Sequence, residues 1–347
     1  MSLIGVPRWA DDDGQAMTEP RRIDVNPRGR GLLAADFVLP DLLAWRRAGL
    51  KIALVSLVGI EGGTPRPLGA QMAVAEDGRH VGYLSGGCLE AAVALEAQSV
   101  IRDGANKHVR YGRGSPYFDI TLPCGSGLDL YIDQAIDAAN LETMERLTAE
   151  RRAFVLETDL NATRHKIVEL AEVDRVDAER SGQVFRRPYV PNLKVVLVGA
   201  GPSVAAIAEV IAAIGFDLTI ATPDDVTRGE VCGMGLTPLG LTGPQIAGLE
   251  QLDRWSAVIL SFHDHHWEPP LLAAALKSRC FYVGALGSKT VQTARLAKLL
   301  ELGVSPKDAA RIHGPAGVIP GAKARATLAI GIAAELMQSA KVHGYIA

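Results

Sequence analysis

Apolar and polar positions alternate along the chain in two different rhythms. FVLPDLLAWRRAGL, from residue 37, spaces its apolar residues as an amphipathic helix does. KIALVSLVGI (51–60) is a short apolar run rich in β-branched residues, which predicts a buried strand. A Gly/Pro loop, EGGTPRPLGA, leads to a strand at QMAVAE. The turn DGR and a strand at HVGYL complete a hairpin, because Asp-Gly between two apolar runs favours a tight reversal. A helix follows SGGCLE, a strand lies near KHVRY, and the loop LPCGSG precedes a strand at LDLYID. That strand closes the unit near residue 135. Residues 136–190 are less regular, with a helix near 137–150 and strands near 152–158 and 165–170. VFRRPYVPN (184–192) carries two prolines and reads as a linker. From Leu193 the rhythm changes. LKVVLV, FDLTIA, SAVILSF and CFYVGAL are short apolar strands separated by helical stretches, the pattern of a parallel α/β sheet.

The fold class expected is therefore α/β: a mixed α/β domain over 34–135, a connecting segment over 136–190, and a Rossmann-like parallel sheet over 191–347. Residues 1–33, rich in Asp, Arg, Pro and Gly, read as an extension with little core of its own. A length of 347 residues suits about two domains. With 48% apolar and 22% charged residues the chain can build ordinary cores. A formal net charge of -3 supplies no basic field for nucleic acid. No apolar run reaches the roughly 18 residues of a membrane span. The N-terminus lacks the basic and apolar regions of a signal peptide. Four widely separated cysteines are too few for a disulfide scaffold, so a reducing, cytoplasmic setting is expected.

LKVVLVGAGPSVAAIAEVIAAIGFDLTIATPDD has the order strand, glycine turn, helix, strand. Gly199 permits the turn, and Gly201 lets the backbone approach a phosphate at a helix N-terminus. The third glycine position, however, is Val204. Thr222 stands where an NAD site places an acid on the ribose, with Asp224 and Asp225 just beyond. The glycine turn has a second reading, as packing alone. After SAVILSF come His263, Asp264, His265 and His266. Imidazole and carboxylate bind zinc or iron, but adjacent loop residues point in different directions and do not ligate one ion as a unit. His263 and Asp264, nearest the strand end, are assigned a polar role in the crevice. YVGALGSKT is another strand, turn and helix start, with Ser288 as cap and Lys289 beside an anion-friendly first turn.

Two cysteines lie in glycine frames. If Ser85 caps the helix, Cys88 takes its third position, where the dipole and free amides favour a thiolate; Gly86 and Gly87 form the turn. Glu90 nearby opposes that effect. Cys124 sits in TLPCGSG, where Pro123 and Gly125 leave the sulfur little cover. Such sulfurs suit a soft metal or a persulfide. The spacing matches no common zinc pattern, and no third ligand is evident. The alternative is two small buried hydrophobes. In GGTPRPLGAQM, Pro65 and Pro67 hold Arg66 in an extended loop, a presentation suited to a bidentate grip on phosphate. The alternative there is a salt-bridged surface arginine.

GGTPRPLGAQM, SGGCLE, LPCG, VGAGPSVA, HD, FYVGALGSK and ARIHGPAG occur in this order. Together, over about residues 35–340, they resemble the XdhC/CoxI family, the xanthine dehydrogenase accessory factors. The resemblance implies an N-terminal XdhC/CoxI domain, a C-terminal Rossmann domain and a cytoplasmic maturation factor that is usually a homodimer. Such factors bind the molybdenum cofactor (molybdopterin, in many bacteria its cytosine dinucleotide form) and protect it. They promote its sulfuration with a cysteine desulfurase and deliver it to an apo-molybdenum hydroxylase. On that reading Arg66, Gly86, Gly87, Gly199, Gly201, His263, Asp264, Ser288 and Lys289 contact the cofactor. Cys88 and Cys124 handle molybdenum or sulfur. Thr222 and Ile319, each where the family often carries an acid, are departures, and they suggest a divergent subfamily. Two other readings remain: an NAD(P)-dependent oxidoreductase, against which Val204 and Thr222 stand, and a scaffold that docks a molybdoenzyme without holding the cofactor.

Overall fold

The computed structural model describes residues 37–115, 125–170, 177–262 and 266–346. In the N-terminal half, helix α1 (Leu39–Arg47) has Pro40 in its first turn, where no N–H is needed, and ends in arginines that suit the negative end of its dipole. Strands β1 (Ile52–Glu61), β2 (Gln71–Ala75) and β3 (His80–Gly82) precede helix α2 (Glu90–Asp103). Strands β4 (Lys107–Gly112) and β5 (Gly127–Asp133) follow. The five pair antiparallel in the order β3-β2-β1-β5-β4. Both faces are covered, which is why β1 reads as a continuous apolar run rather than an alternating one. Val55, Leu57, Met72 and Leu130 pack under Val93 and Ala97 of α2. Ile52, Leu54 and Ala73 pack on the opposite face, under Leu42 and Trp45 of α1.

Helix α3 (Ala138–Ala149) is capped by Asp137, whose carboxylate accepts from the Asn140 amide at 2.7 Å. Strands β6 (Phe154–Asp159), β7 (Arg164–Glu169), β8 (Glu179–Ser181) and β9 (Val184–Tyr189) then form a second antiparallel sheet, ordered β7-β6-β9-β8. The linker expected over 184–192 is therefore corrected: most of it is an inner strand. Its Pro188 is tolerated because β8 pairs only with Val184–Arg186. Among the described residues the β8 pairing ends at Arg186, so the imino nitrogen of Pro188 loses no bond of that ladder. Phe154 and Tyr189 stack at 5.0 Å in the core shared with α1 and α3. The buried Tyr189 hydroxyl donates to Gln71 Oε1 at 2.9 Å, tying the second sheet to the first.

The C-terminal half alternates strand and helix: β10 (Lys194–Gly199), α4 (Pro202–Ile214), β11 (Asp217–Thr222), α5 (Asp225–Gly233), β12 (Leu239–Gly240), β13 (Ser256–Ser261), α6 (Glu268–Lys277), β14 (Tyr282–Ala285), α7 (Lys289–Glu301), α8 (Pro306–Ala309), β15 (Ile312–His313) and α9 (Arg325–Val342). All six strands run parallel in the order β12-β11-β10-β13-β14-β15. Renumbered within the sheet, this is 3-2-1-4-5-6, the doubly wound dinucleotide-binding order. Ile207 and Ile211 of α4 meet Ile332 and Leu336 of α9 on one face, and α6 and α7 cover the other. The expected Rossmann-like parallel sheet is observed. Arg151, just after α3, joins this half to the rest. Its Nε donates to Asp253 at 2.6 Å and its Nη1 to the Asn192 carbonyl at 2.9 Å.

Candidate functional site

Antiparallel pairing delivers three loops to one end of the first sheet. Glu61 lies opposite Gly127, which lies opposite Gly112, while Met72 lies opposite Gly82. The β1–β2 loop, the β3–α2 loop and the β4–β5 loop therefore leave together. A side chain at Gly86 would stand 3.7 Å from the Pro65 ring, and one at Gly62 would stand 3.6 Å from the Ser126 backbone. The Arg66 loop thus touches both glycine frames. Cys88 is exposed in the first frame. Cys124, in the second, lies outside the described residues, as do His263, Asp264 and His265.

The start of α2 differs from the expectation. The helix begins at Glu90 rather than after Ser85, so Cys88 precedes it and does not occupy a third helical position. The reason is Glu90 itself. Its buried carboxylate folds back to accept from the amides of Leu84 (2.9 Å), Ser85 (2.9 Å) and Leu89 (3.1 Å) and from the Ser85 hydroxyl (3.0 Å). A carboxylate, not a thiolate, occupies the helix start. Burial pushes this carboxyl upward, but the Ser85 and Leu84 N–H donors outweigh it and hold it below the usual carboxylate range. Its stabilisation is therefore present above the unfolded value, near 4.3, and is lost as pH falls through the lower folded one. Glu90→Ala leaves buried amides without acceptors and is expected to cost about 2–4 kcal/mol at neutral pH. Urea unfolding checks this; the gap between variant and parent should narrow below about pH 4.

Behind the Arg66 loop lies a cleft of about 500 Å³. Arg66, Leu68, Arg187, Tyr189, Phe37 and Ile346 contribute to its wall, as does the carboxylate of Asp177. The Arg187 guanidinium lies 4.0 Å over the Tyr189 ring and donates to the carbonyls of Gly69 (3.3 Å) and Pro188 (2.7 Å). Gly69 leaves room for the neighbouring strand: a side chain there would meet Ala178 Cβ at 2.5 Å and Arg187 Cγ at 3.4 Å. Two guanidiniums beside aromatic and aliphatic surface suit a planar molecule that carries phosphate. Neither Cys88 nor Gly86, Gly87, Gly199, Gly201, Ser288 or Lys289 lines this cleft. Arg187 and Tyr189 were missed in the sequence because their stretch, with its two prolines, read as a linker. The Arg-Arg-Pro-Tyr run was the available signal.

The Rossmann turn is intact but largely engaged by its own protein. A side chain at Gly199 would meet the Ser261 carbonyl at 2.2 Å, so this glycine serves strand packing. Gly201 has φ 92° and caps α4, but its amide donates to Thr227 Oγ1 at 2.8 Å. Thr227 in turn donates to Asp224 at 2.5 Å, and Asp224 also accepts from the Thr227 amide at 2.7 Å. These Thr227 bonds hold the Asp224 carboxyl below its ordinary range. Asp224 is thus a helix cap, and Thr222 is fully buried at the strand end. Val204, at the third glycine position, is buried in the core. Ser288 caps α7 as expected, accepting from the Val291 amide at 3.2 Å, and Lys289 is exposed beside it. That turn is held by Arg295, which donates to the Leu286 carbonyl at 2.5 Å and grips Glu268 at 3.1 Å, with both side chains buried. Among the described residues no three His, Cys, Asp or Glu side chains gather to hold a metal ion. No described helix is long and apolar enough to cross a membrane.

Comparison with known proteins agrees with both halves. Residues 45–112 match the model of the XdhC and CoxI family, and residues 195–336 match that of the XdhC Rossmann domain. The chain is 37% identical to the molybdenum cofactor insertion chaperone PaoD of Escherichia coli, over 85% of each chain. It is 22% identical to a probable xanthine dehydrogenase subunit of Bacillus subtilis, over 83% of this chain and 93% of that one. A crystal structure described as a xanthine dehydrogenase from Bacillus halodurans superposes with a TM-score of 0.69 at 20% identity. It covers 88% of this chain and 96% of that one, and it shares the fold. With a relative this similar over most of both chains, and both domain models matched in order, the chain belongs to the XdhC and CoxI family.

Proposed function

We propose that this protein carries the molybdenum cofactor as cargo and hands it to a molybdenum hydroxylase of the xanthine dehydrogenase or carbon monoxide dehydrogenase type. The observation that carries the reading is the 37% identity to PaoD, named a molybdenum cofactor insertion chaperone, over 85% of both chains. The cleft beside the Arg66 loop supports it. Its volume and its pair of guanidiniums suit a phosphate-bearing pterin, whose rings would lie against the apolar wall. Cys88, exposed on the neighbouring loop, offers a soft sulfur for molybdenum or for a sulfur atom received from a cysteine desulfurase. Cys124 is assigned the same chemistry. The protein would act in the cytoplasm as a homodimer, and the cofactor would be molybdopterin or its cytosine dinucleotide form.

Anaerobic purification tests the reading. Molybdenum and pterin fluorescence should co-purify with the protein and fall together when Cys88 and Cys124 are both replaced by serine. Protein that carries neither metal nor pterin, from cells able to make the cofactor, would exclude the carrier role. An NAD(P)-dependent oxidoreductase is the second reading, favoured by the 3-2-1-4-5-6 strand order. Against it stand the engaged Gly201 amide and the capping role of Asp224. Calorimetry with NADH and NADPH followed by a hydride-transfer assay separates the two, because the carrier reading expects no hydride transfer.

A further inference from the structure

A basic residue stands just before each of three adjacent parallel strands: Arg254 before β13, Arg279 before β14 and Arg311 before β15. Because these strands lie side by side, the three side chains converge at the amino edge of the sheet. This is the edge opposite the glycine turn. They line a cavity of about 420 Å³, to which His313 and His343 also contribute. No carboxylate is among the described residues that line it.

The basic groups are held in place. Arg311 donates to the carbonyls of Leu276 (2.7 Å), Ser278 (3.2 Å) and Cys280 (2.9 Å). These bonds cover the carbonyl end of α6, which would otherwise repel an anion, and they leave part of the guanidinium fork unused. Arg254 Nε donates to the Tyr345 hydroxyl at 3.3 Å. His343 Nδ1 is bonded to the Ser339 carbonyl at 2.8 Å, so its proton lies there and Nε2 is the remaining polar atom of the ring. His313 Nδ1 lies 3.4 Å from Glu335 and is oriented in the same way. Burial pushes the Cys280 thiol up, so the sulfur in this wall adds no negative charge at neutral pH. The other wall is aromatic: Phe281, His343 and Tyr345 lie 5.5–5.8 Å apart, ring to ring.

We infer that this cavity is a second ligand site, binding a nucleoside phosphate with its phosphate on the arginines and its base against the aromatic wall. Fixed guanidiniums recognise phosphate oxygens, and a ring cluster supplies a stacking surface. The inference is independent of the cofactor reading, because the cleft at Arg66 shares only Tyr345 with this cavity.

Calorimetry on the full chain with inorganic pyrophosphate, CMP and cytidine tests it. Pyrophosphate and CMP should bind saturably, and cytidine should bind about tenfold more weakly than CMP, or less well still. Arg279 is exposed, so Arg279→Glu should fold normally, as circular dichroism can verify. It should weaken CMP about tenfold or more. Absence of binding by both anions, or CMP binding unaffected by Arg279→Glu, would overturn the inference. Failure here would leave co-purified molybdenum and pterin unaffected, and the reverse also holds.

Discussion

Arg295→Leu is expected to cost about 3–5 kcal/mol, because it strands the buried Glu268 carboxylate without its guanidinium. The pair is 2% and 5% exposed at the side chains and makes a two-pronged contact, Nε to Oε2 at 3.3 Å and Nη2 to Oε1 at 3.2 Å. Desolvated charges of this kind depend on each other, so removing one is far worse than removing both. The double variant Arg295→Leu/Glu268→Leu should recover most of the loss. Arg295 also holds the Leu286 carbonyl and Gln292, so the single variant loosens the turn that presents Ser288. Urea unfolding of parent, single and double variants measures the three values. A single variant within 1 kcal/mol of the parent, on the order of a surface pair, would show that water reaches the pair.

The second large effect concerns cargo. Arg66→Ala should weaken retention of the molybdenum cofactor about 10- to 100-fold, since a charge-assisted bond to phosphate contributes about 1.5–3 kcal/mol. Arg66→Lys should restore only part of this, because an ammonium ion cannot make the two-pronged contact. Molybdenum and pterin content after anaerobic purification reads out both variants. Retention equal to the parent in Arg66→Ala would move the phosphate grip to Arg187 or away from this cleft.

Much of this architecture was legible in the chain because burial writes itself into hydrophobic pattern. The parallel strands, covered on both faces, appear as unbroken apolar runs, and the Asp77-Gly78 turn marks its hairpin. The loops at Arg66 and Cys88 were legible as glycine and proline punctuation, and the sheet brings them into contact. What the pattern concealed was competition. Glu90 reads as a minor opposing charge, yet its side chain reaches back to the Leu84, Ser85 and Leu89 amides, and the helix starts two residues after Cys88. Asp224 stands two residues past the ribose-acid position, and its carboxylate accepts from the Thr227 amide three residues ahead. Local sequence does not reveal which of two acceptors wins a donor when the answer depends on a fold-back of several residues. Pro188 misled for a related reason. A proline argues against a strand only where its nitrogen faces a partner, and edge geometry is a property of the assembled sheet.

Because β9 is an inner strand, chimeras built by exchanging Rossmann halves between relatives must be joined past it. A donor fragment ending before Val184 lacks one of the two ladder partners of all six residues of β6. It also lacks the tyrosine that bonds Gln71. The acceptor fragment would carry the severed strand as an exposed edge ready to pair with another molecule. The compatible junction is the short passage between Tyr189 and Lys194. There Arg151 bonds the backbone carbonyl of Asn192, which any residue supplies.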